Sequence, residues 1–173
     1  MKRENLIDLF DTKKIKIAEI GVEYGGFTEQ YFNEESEIHL IDMWTTEGND
    51  YYFSTREGQV EEGYRKVLSK YSDKKNVKII KMKSSEASIN YPNDFFDWIY
   101  IDADHSYESV ILDIKCWFPK LKKGGIISGH DFDPSPEDIN YEKYGVKKAV
   151  EEFFDKNYKL TSEINYKSWY AVK

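Results

Sequence analysis

The sequence predicts an α/β fold built on a mostly parallel sheet with helices on both faces. Short apolar runs of strand length alternate along the chain with segments whose apolar residues recur at helical spacing. Several of these runs are apolar throughout, which is typical of parallel strands that are covered on both faces. No repeat, linker or low-complexity segment interrupts the 173 residues, so we expect a single domain over 1–173.

The first half of the chain is expected to alternate strands with helices. Glycines follow the first strand and an acid follows the second, which marks where these strands end. In chain order the expected elements are a short amphipathic helix near Leu6, a strand over 15–20, a helix from Thr28, a strand over 38–41, a helix over 60–71, a strand over 77–80 and a short helix over 85–90.

Two irregular segments interrupt the pattern. Residues 43–58 show no periodicity but contain several aromatic side chains, Trp44, Tyr51, Tyr52 and Phe53. The second segment, 132–144, adds Phe132, Tyr141 and Tyr144. A long irregular segment within a compact domain is more often a functional loop than a passive connection. We expect both loops to flank a binding site, although plain hydrophobic filling would also explain their aromatic residues.

The second half of the chain is expected to contain a strand, a helix, another strand, a helix and a terminal antiparallel pair. Ser106 or Asp104 is placed to cap the first of these helices, and Pro119 ends it. The expected elements are a strand over 95–101, a helix over 107–118, a strand over 126–128 after Gly124-Gly125, a helix over 146–154 and a pair formed by 158–161 and 168–172.

Acidic and imidazole side chains follow two strands of this half. Asp102 and His105 come directly after the strand over 95–101, and His130 and Asp131 follow the next one. The carboxyl ends of adjacent parallel strands meet at the edge where open α/β sheets bind ligands. We therefore expect the four side chains to lie close together, an arrangement typical of an active site.

Composition argues against several classes of partner. Lys and Arg number 25 against 32 Asp and Glu, giving a net charge of −7 without a basic stripe, so we expect no nucleic-acid partner. The single cysteine, Cys116, excludes an internal disulfide and favours a reducing compartment. No stretch resembles a signal peptide or approaches the roughly 20 apolar residues that cross a bilayer. We expect a cytoplasmic protein without a membrane partner.

A glycine turn follows the first strand, in the pattern Glu19-x-Gly21-x-x-x-Gly25-Gly26. Glycines at this point let the backbone turn tightly and approach a ligand at a helix N-terminus. The spacing differs from the G-x-G-x-x-G of dinucleotide-binding folds, which argues against a dehydrogenase. Asp42, at the end of the second strand, is placed to accept hydrogen bonds from two ribose hydroxyls. A simple turn and a loop acid remain the alternatives.

These motifs together resemble the class I S-adenosylmethionine-dependent methyltransferases. The resemblance rests on residues 19–28, 40–44 and 95–131, and it extends over 15–172. The segment IDADHSYESVILDIKCWFPKLKKGGIISGHDF is similar to the small single-domain group that includes the macrocin-type (macrolide-sugar) O-methyltransferases. The resemblance implies a Rossmann-like, doubly wound, seven-stranded sheet, mostly parallel with an antiparallel C-terminal strand.

The same resemblance implies the cofactor-binding residues. Glu19, Gly21 and Gly25 are expected around the methionine part of S-adenosylmethionine, and Asp42 on its ribose. Lys83-Ser84-Ser85 occupies the place where the family often has Gly-Asp-Ser beside the adenine, so Ser84 stands where an acid is usual. Its hydroxyl could still serve as an adenine contact. Asp102 is expected to lie beside the cofactor as well as to bind a metal ion.

A divalent ion, Mg²⁺ or Mn²⁺, is the second cofactor that the resemblance implies. Asp102, His130 and Asp131 are the expected ligands, although the related enzymes carry an acid at position 130. For His130, metal binding, a substrate contact and capping of the strand all stay open. His105 is the implied general base, because an imidazole with a pKa near ~6.5 can accept a hydroxyl proton. A helix-capping role for His105 is the alternative.

The predicted function is O-methylation of a small-molecule or glycosyl hydroxyl by a metal-assisted, S-adenosylmethionine-dependent enzyme. A metal-independent small-molecule methyltransferase, a non-catalytic cofactor-binding subunit and a dinucleotide-dependent dehydrogenase are the alternatives. At this length no separate substrate-binding domain is expected. The loops or a neighbouring subunit of a homo-oligomer must then complete the pocket.

Overall fold

The residues that the computed structural model describes, namely 1–45, 57–135, 137 and 143–173, form one seven-stranded sheet. In chain order its strands are β1 (Lys16–Ile20), β2 (Glu37–Asp42), β3 (Val77–Lys81), β4 (Phe96–Ile101), β5 (Leu121–Gly129), β6 (Lys159–Leu160) and β7 (Trp169–Val172). Their order across the sheet is β3-β2-β1-β4-β5-β7-β6. Strands β1 to β5 are parallel, and β7 is antiparallel to both β5 and β6. The predicted Rossmann-like, doubly wound sheet with an antiparallel C-terminal strand is confirmed.

Helices cover both faces of this sheet, as the apolar patterns predict. They are α1 (Thr28–Tyr31), α2 (Glu57–Tyr71), α3 (Ser84–Ile89), α4 (Tyr107–Trp117) and α5 (Val146–Phe154), with 3₁₀ helices at Arg3–Leu9 and Phe118–Lys120. One apolar core joins α3, α4 and α5 to the sheet, and a second joins α1, α2 and the N-terminal 3₁₀ helix to the other face. Within the described part of the chain, no helix is long and apolar enough to span a bilayer.

The structure differs from the sequence prediction most clearly at β5. The strand begins at Leu121 rather than at residue 126, because Leu121 pairs with Phe96 and the register then shifts before Trp98 pairs with Ile126. Gly124 lies inside this irregularity with a φ of 79°. The glycines that predict a turn therefore form a bulge within one strand.

The irregular loops are described only in part. Trp44, Phe132 and Tyr144 lie in the described ranges, whereas Tyr51, Tyr52, Phe53 and Tyr141 lie outside the described residues. The predicted helix from Thr28 has only four residues, and the N-terminal lead-in adopts 3₁₀ geometry.

The carboxyl ends of β1 and β4 approach each other closely at the point where the sheet order reverses. The backbone N–H of Asp102 donates to the carbonyl of Ile20 at 2.7 Å, and the N–H of Gly21 donates to the carbonyl of Ile41 at 2.9 Å. Gly21 has a φ of 83°, and a Cβ there would lie 2.1 Å from the Asp102 carbonyl oxygen. Only glycine fits this position, which brings the glycine turn beside the strand end that carries Asp102.

We predict that Gly21→Ala lowers the free energy of unfolding by at least about 3 kcal/mol, because it combines left-handed strain with a backbone clash. Gly26→Ala is the matched control, since no atom lies within 4 Å of a Cβ built there. We expect it to change stability by no more than about 0.5 kcal/mol. Urea unfolding followed by circular dichroism measures both, and equal midpoints for the two variants would contradict the prediction.

Candidate active site at the carboxyl edge of the sheet

Asp42 joins the end of β2 to the glycine turn. Its Oδ2 accepts hydrogen bonds from the backbone N–H groups of Val22 and Glu23, at 2.8 and 3.0 Å. Its Oδ1 accepts from the N–H of Trp44 at 2.8 Å. Because each carboxylate oxygen can accept two hydrogen bonds, Oδ2 is fully used and Oδ1 keeps one acceptor position, enough for one ribose hydroxyl. The predicted ribose contact of Asp42 is compatible with this geometry.

Trp44 belongs to the packing around the glycine turn. Its Nε1 donates to the carbonyl of Glu23 at 2.9 Å, and its ring packs against Tyr64 with centroids 4.9 Å apart. Only 4% of Trp44 is exposed. This aromatic residue therefore supports the turn from beneath, as in the hydrophobic-filling alternative, rather than presenting its ring at the site.

Glu19 lies at the end of β1 but points into the protein. Its Oε2 accepts hydrogen bonds from the Thr28 hydroxyl at 2.6 Å and from the Tyr31 hydroxyl at 2.5 Å, and only 1% of the residue is exposed. Burial raises the pKa of Glu19 to about 8, although the two hydrogen bonds favour the ionised form. The acid therefore positions α1 under the glycine turn. Its predicted cofactor contact stays a prediction.

Ser84 also uses its hydroxyl inside the protein. It donates to Asp113 Oδ1 at 2.6 Å and accepts from Trp117 Nε1 at 2.8 Å. Asp113, on α4, is buried, and that burial raises its pKa to about 6. A buried carboxylate from another helix thus lies beside the position where the family often has an acid. The sequence contained a signal for it, since Asp113 interrupts the apolar face that includes Val110, Ile114 and Trp117.

Asp102, His105, His130 and Asp131 do come together, as predicted from the two strand ends. His105 Nε2 lies 3.0 Å from Asp131 Oδ2 and 3.7 Å from Asp102 Oδ1. His130 Nδ1 lies 3.1 Å from Asp131 Oδ1 and 3.8 Å from Asp102 Oδ2. The Asp131 carboxylate is therefore flanked by one imidazole on each oxygen, while Asp102 faces both rings at a greater distance.

The charged side chains of this cluster shift one another's pKa values. Burial alone would lower the pKa of His105, but the carboxylates of Asp102 and Asp131 raise it to about 10. Burial alone would raise the pKa of Asp131, but His105 and His130 hold it well below its ordinary range. Tyr144 stacks on the His105 ring with centroids 5.0 Å apart and restricts its orientation.

Three of these side chains could bind one metal ion. In the described ranges, Asp102, His105 and Asp131 form a group whose potential ligand atoms all lie within 4.8 Å of one another. Two carboxylates and one imidazole suit Mn²⁺ or Fe²⁺, and the carboxylates also suit Mg²⁺. This group includes His105, the predicted base, and leaves out His130, a predicted ligand. His130 remains beside the same acid.

Arg3 is a site residue that the sequence analysis missed. Its Nη1 lies 3.7 Å from Asp102 Oδ2 and 3.5 Å from the Tyr100 hydroxyl, and its guanidinium lies over the Phe27 ring at 5.0 Å from the centroid. The residue comes from the N-terminal 3₁₀ helix, about 100 positions before Asp102 in the chain. No local pattern marks it, because only the packing of that helix brings it to the site.

A family comparison agrees with this geometry. Residues 18–132 match the family model described as "Methyltransferase domain", which covers β1 to the end of the acid–imidazole cluster. The match includes more than half of the chain, so the protein belongs to this methyltransferase family. No curated protein gives a significant match. The macrocin-type subgroup is not resolved by the family match.

Solved structures with the same fold include several methyltransferases. Fibrillarin from Aeropyrum pernix, with natively bound S-adenosyl-L-methionine, is 14% identical with a TM-score of 0.64, covering 98% of this chain and 71% of its own. A Staphylococcus aureus protein assigned as a caffeoyl-CoA O-methyltransferase is 17% identical with a TM-score of 0.66, covering 98% and 80%. Spermidine synthase from Thermotoga maritima is 19% identical with a TM-score of 0.61, covering 93% and 53%. The chain spans about half of the synthase's length.

The raised pKa of Glu19 predicts a pH-dependent stability. An unfolded Glu19 releases its proton near pH 4.5, whereas the folded one keeps it to about pH 8. Because the folded state binds the extra proton between these values, the free energy of unfolding should fall as pH rises from 5 to 8.5. Glu19→Gln cannot titrate and should remove this part of the decline. Urea midpoints at both pH values measure it.

Glu34→Gln, a change of an exposed acid near α1, is the control for a general effect of charge. We expect it to follow the wild-type pH dependence. If Glu19→Gln loses as much stability between pH 5 and 8.5 as the wild type does, the proton is not held on Glu19.

Proposed function

We propose that this protein is an S-adenosylmethionine-dependent methyltransferase that methylates a hydroxyl group of a small-molecule or glycosyl acceptor with the help of a divalent metal ion. The observation that carries the proposal is the convergence of Asp102, His105 and Asp131 within 4.8 Å, at the strand ends next to the glycine turn. Family membership supports methyl transfer. The acid–imidazole cluster supports a hydroxyl acceptor, because it provides groups that bind a cation and accept a proton.

The glycine turn and Asp42 fit the cofactor. Gly21 allows the close approach of β1 and β4, and the space above Gly26 is open, so a ligand can lie against the backbone. Asp42 Oδ1 keeps an acceptor position at the end of β2 for a ribose hydroxyl. When bound, S-adenosylmethionine supplies an electrophilic methyl group on a sulfonium. The bound S-adenosyl-L-methionine of the fibrillarin relative supports this choice of cofactor.

The metal ligands of the proposal are Asp102, Asp131 and His105. A divalent ion at this position would lower the pKa of an acceptor hydroxyl and orient it. His130 then takes the proton-accepting role, because its Nδ1 lies 3.1 Å from the other oxygen of Asp131 and the ring is not one of the three proposed ligands. This assignment exchanges the roles that the sequence suggests for the two histidines.

The acceptor is proposed to be a hydroxylated small molecule or a sugar. The Staphylococcus aureus relative assigned as a caffeoyl-CoA O-methyltransferase supports O-methylation as the reaction class. His105 and Tyr144 present stacked rings beside the acids, which suits a flat or ring-shaped acceptor. We also propose that the protein is cytoplasmic and has no nucleic-acid or membrane partner, on the basis of its composition. We propose that a homo-oligomer completes the pocket, because 173 residues form one domain.

A metal-independent methyltransferase is the second candidate, and a specific observation favours it. Arg3 lies 3.7 Å from Asp102, and His105, with a pKa raised to about 10, is protonated at neutral pH. Two cationic side chains therefore balance the charges of Asp102 and Asp131. A site with balanced charge needs no metal ion for its electrostatic stability, and its carboxylates would then serve to orient the acceptor.

Calorimetry with S-adenosylhomocysteine tests the proposal. We predict cofactor binding in the presence of a chelator, followed by a separate heat when Mn²⁺ is added together with catechol. Asp131→Asn should weaken the Mn²⁺ step by about tenfold or more and leave the cofactor step nearly unchanged. Asparagine tolerates the left-handed backbone of residue 131, whose φ is 55°. The loss can therefore be assigned to the carboxylate.

Asp133→Asn is the matched control, since Asp133 pairs with Lys167 at 3.2 Å outside the cluster. His105→Gln should also weaken the Mn²⁺ step, whereas His130→Gln should preserve it. Cofactor binding without a heat of Mn²⁺ binding would favour the metal-independent enzyme instead. A protein that binds no S-adenosylhomocysteine at all would refute both candidates.

A further inference from the structure

We infer that Arg3 binds the carboxylate of the cofactor's amino-acid end. This inference rests on the proposed function and adds a residue to it. It assigns a specific ligand group to a side chain that lies outside the matched family region, which begins at residue 18.

The position of Arg3 places its charge between the glycine turn and β4. The guanidinium lies over the ring of Phe27, which follows the two glycines of the turn directly. Phe27 in turn stacks on Tyr100 of β4, with centroids 3.9 Å apart. The amino-acid end of the cofactor is expected at this same junction, above Gly21 and Gly25. Arg3 therefore places a cation at the junction where a carboxylate would arrive.

The contacts of the guanidinium leave its hydrogen-bonding capacity largely unused. Its polar neighbours among the described residues lie at 3.5 Å, in Tyr100, and at 3.7 Å, in Asp102. Good hydrogen bonds from nitrogen to oxygen fall at about 2.7–3.2 Å. Arginine presents five N–H donors in a planar fork that matches a carboxylate through two parallel hydrogen bonds. The site thus contains a partly buried donor group without a short partner in the described chain.

The backbone of Arg3 is held in place from the opposite end of the chain. Its N–H donates to Glu163 Oε1 at 2.5 Å, and the carbonyl of Met1 accepts from the N–H of Ser162 at 2.9 Å. These bonds tie the N-terminal 3₁₀ helix to the segment before β7. Because the backbone is anchored and the ring of Phe27 supports the side chain, little conformational entropy is lost when a ligand binds the guanidinium.

Asp102 contributes to the same inference. An α-amino acid is a zwitterion, so a site that binds it needs one cationic and one anionic group a few ångströms apart. Arg3 and Asp102 provide such a pair, with 3.7 Å between Nη1 and Oδ2. The pair is too long to be a tight salt bridge. An arriving carboxylate can therefore replace Asp102 as the nearest anion to the guanidinium.

The test compares two ligands that differ only in the amino-acid end. S-adenosylhomocysteine carries the carboxylate, whereas 5′-methylthioadenosine has the same nucleoside without it. We expect Arg3→Gln to lower the affinity for S-adenosylhomocysteine by about tenfold or more. The affinity for 5′-methylthioadenosine should stay within about twofold of the wild-type value. Lys2→Gln is the matched control, because Lys2 is a neighbouring exposed cation that pairs with Glu4 at 3.7 Å. It should leave both affinities unchanged.

A second measurement on the wild-type protein avoids any dependence on the folding of the variant. The chain has three arginines, Arg3, Arg56 and Arg65. Protein labelled with ¹⁵N-arginine should give one Nε–H signal for each, and Arg3 is the signal that Arg56→Lys and Arg65→Lys leave in place. Addition of S-adenosylhomocysteine should shift that signal by more than 5′-methylthioadenosine does.

The outcomes separate this inference from the proposed function. If the wild type binds neither ligand, the proposed function fails. If it binds both ligands, but Arg3→Gln keeps the same ratio of affinities and the Arg3 signal responds equally to both, the cofactor is bound and the assignment of Arg3 is wrong.

Discussion

The site depends on the close backbone contact between the carboxyl ends of β1 and β4. Residue 21 has no room for a side chain because a Cβ would lie 2.1 Å from the Asp102 carbonyl oxygen. This contact puts the glycine turn and the first acid of the cluster side by side. Helices leave the two strands on opposite faces of the sheet, so the space above the contact stays open for a ligand. The other site residues are arranged around that opening.

Charged side chains line the opening and must balance one another. Asp102 and Asp131 bring two carboxylates into a partly buried space, which would be unfavourable without neighbouring cations. His105 and Arg3 provide them, from two different parts of the chain. The same arrangement is compatible with both proposed reactions, the metal-assisted and the metal-independent one, because an ion and the protein's own cations can each neutralise the acids. The choice between the two therefore depends on affinity rather than on architecture.

Two predicted cofactor residues form hydrogen bonds inside the protein. Glu19 and Ser84 occupy the motif positions of the family, but their polar atoms bond to α1 and to Asp113 of α4. The first interaction links β1 to α1, and the second links the start of α3 to α4. The position of a residue in a motif thus places its backbone at the edge of the sheet. The direction of its side chain depends on whichever partner lies within hydrogen-bonding distance.

The sequence by itself determined the strands, most helices and the strand ends that carry the site. Apolar periodicity and glycine placement are local signals, and they predicted the meeting of Asp102, His105, His130 and Asp131 correctly. Tertiary structure alone decided where β5 begins, and that Arg3 lies beside Asp102 and Asp113 beside Ser84. These outcomes depend on contacts between residues far apart in the chain, such as Arg3 with Glu163 and Ser84 with Asp113. Local patterns carry no information about such contacts, because the packing of whole elements against one another creates them.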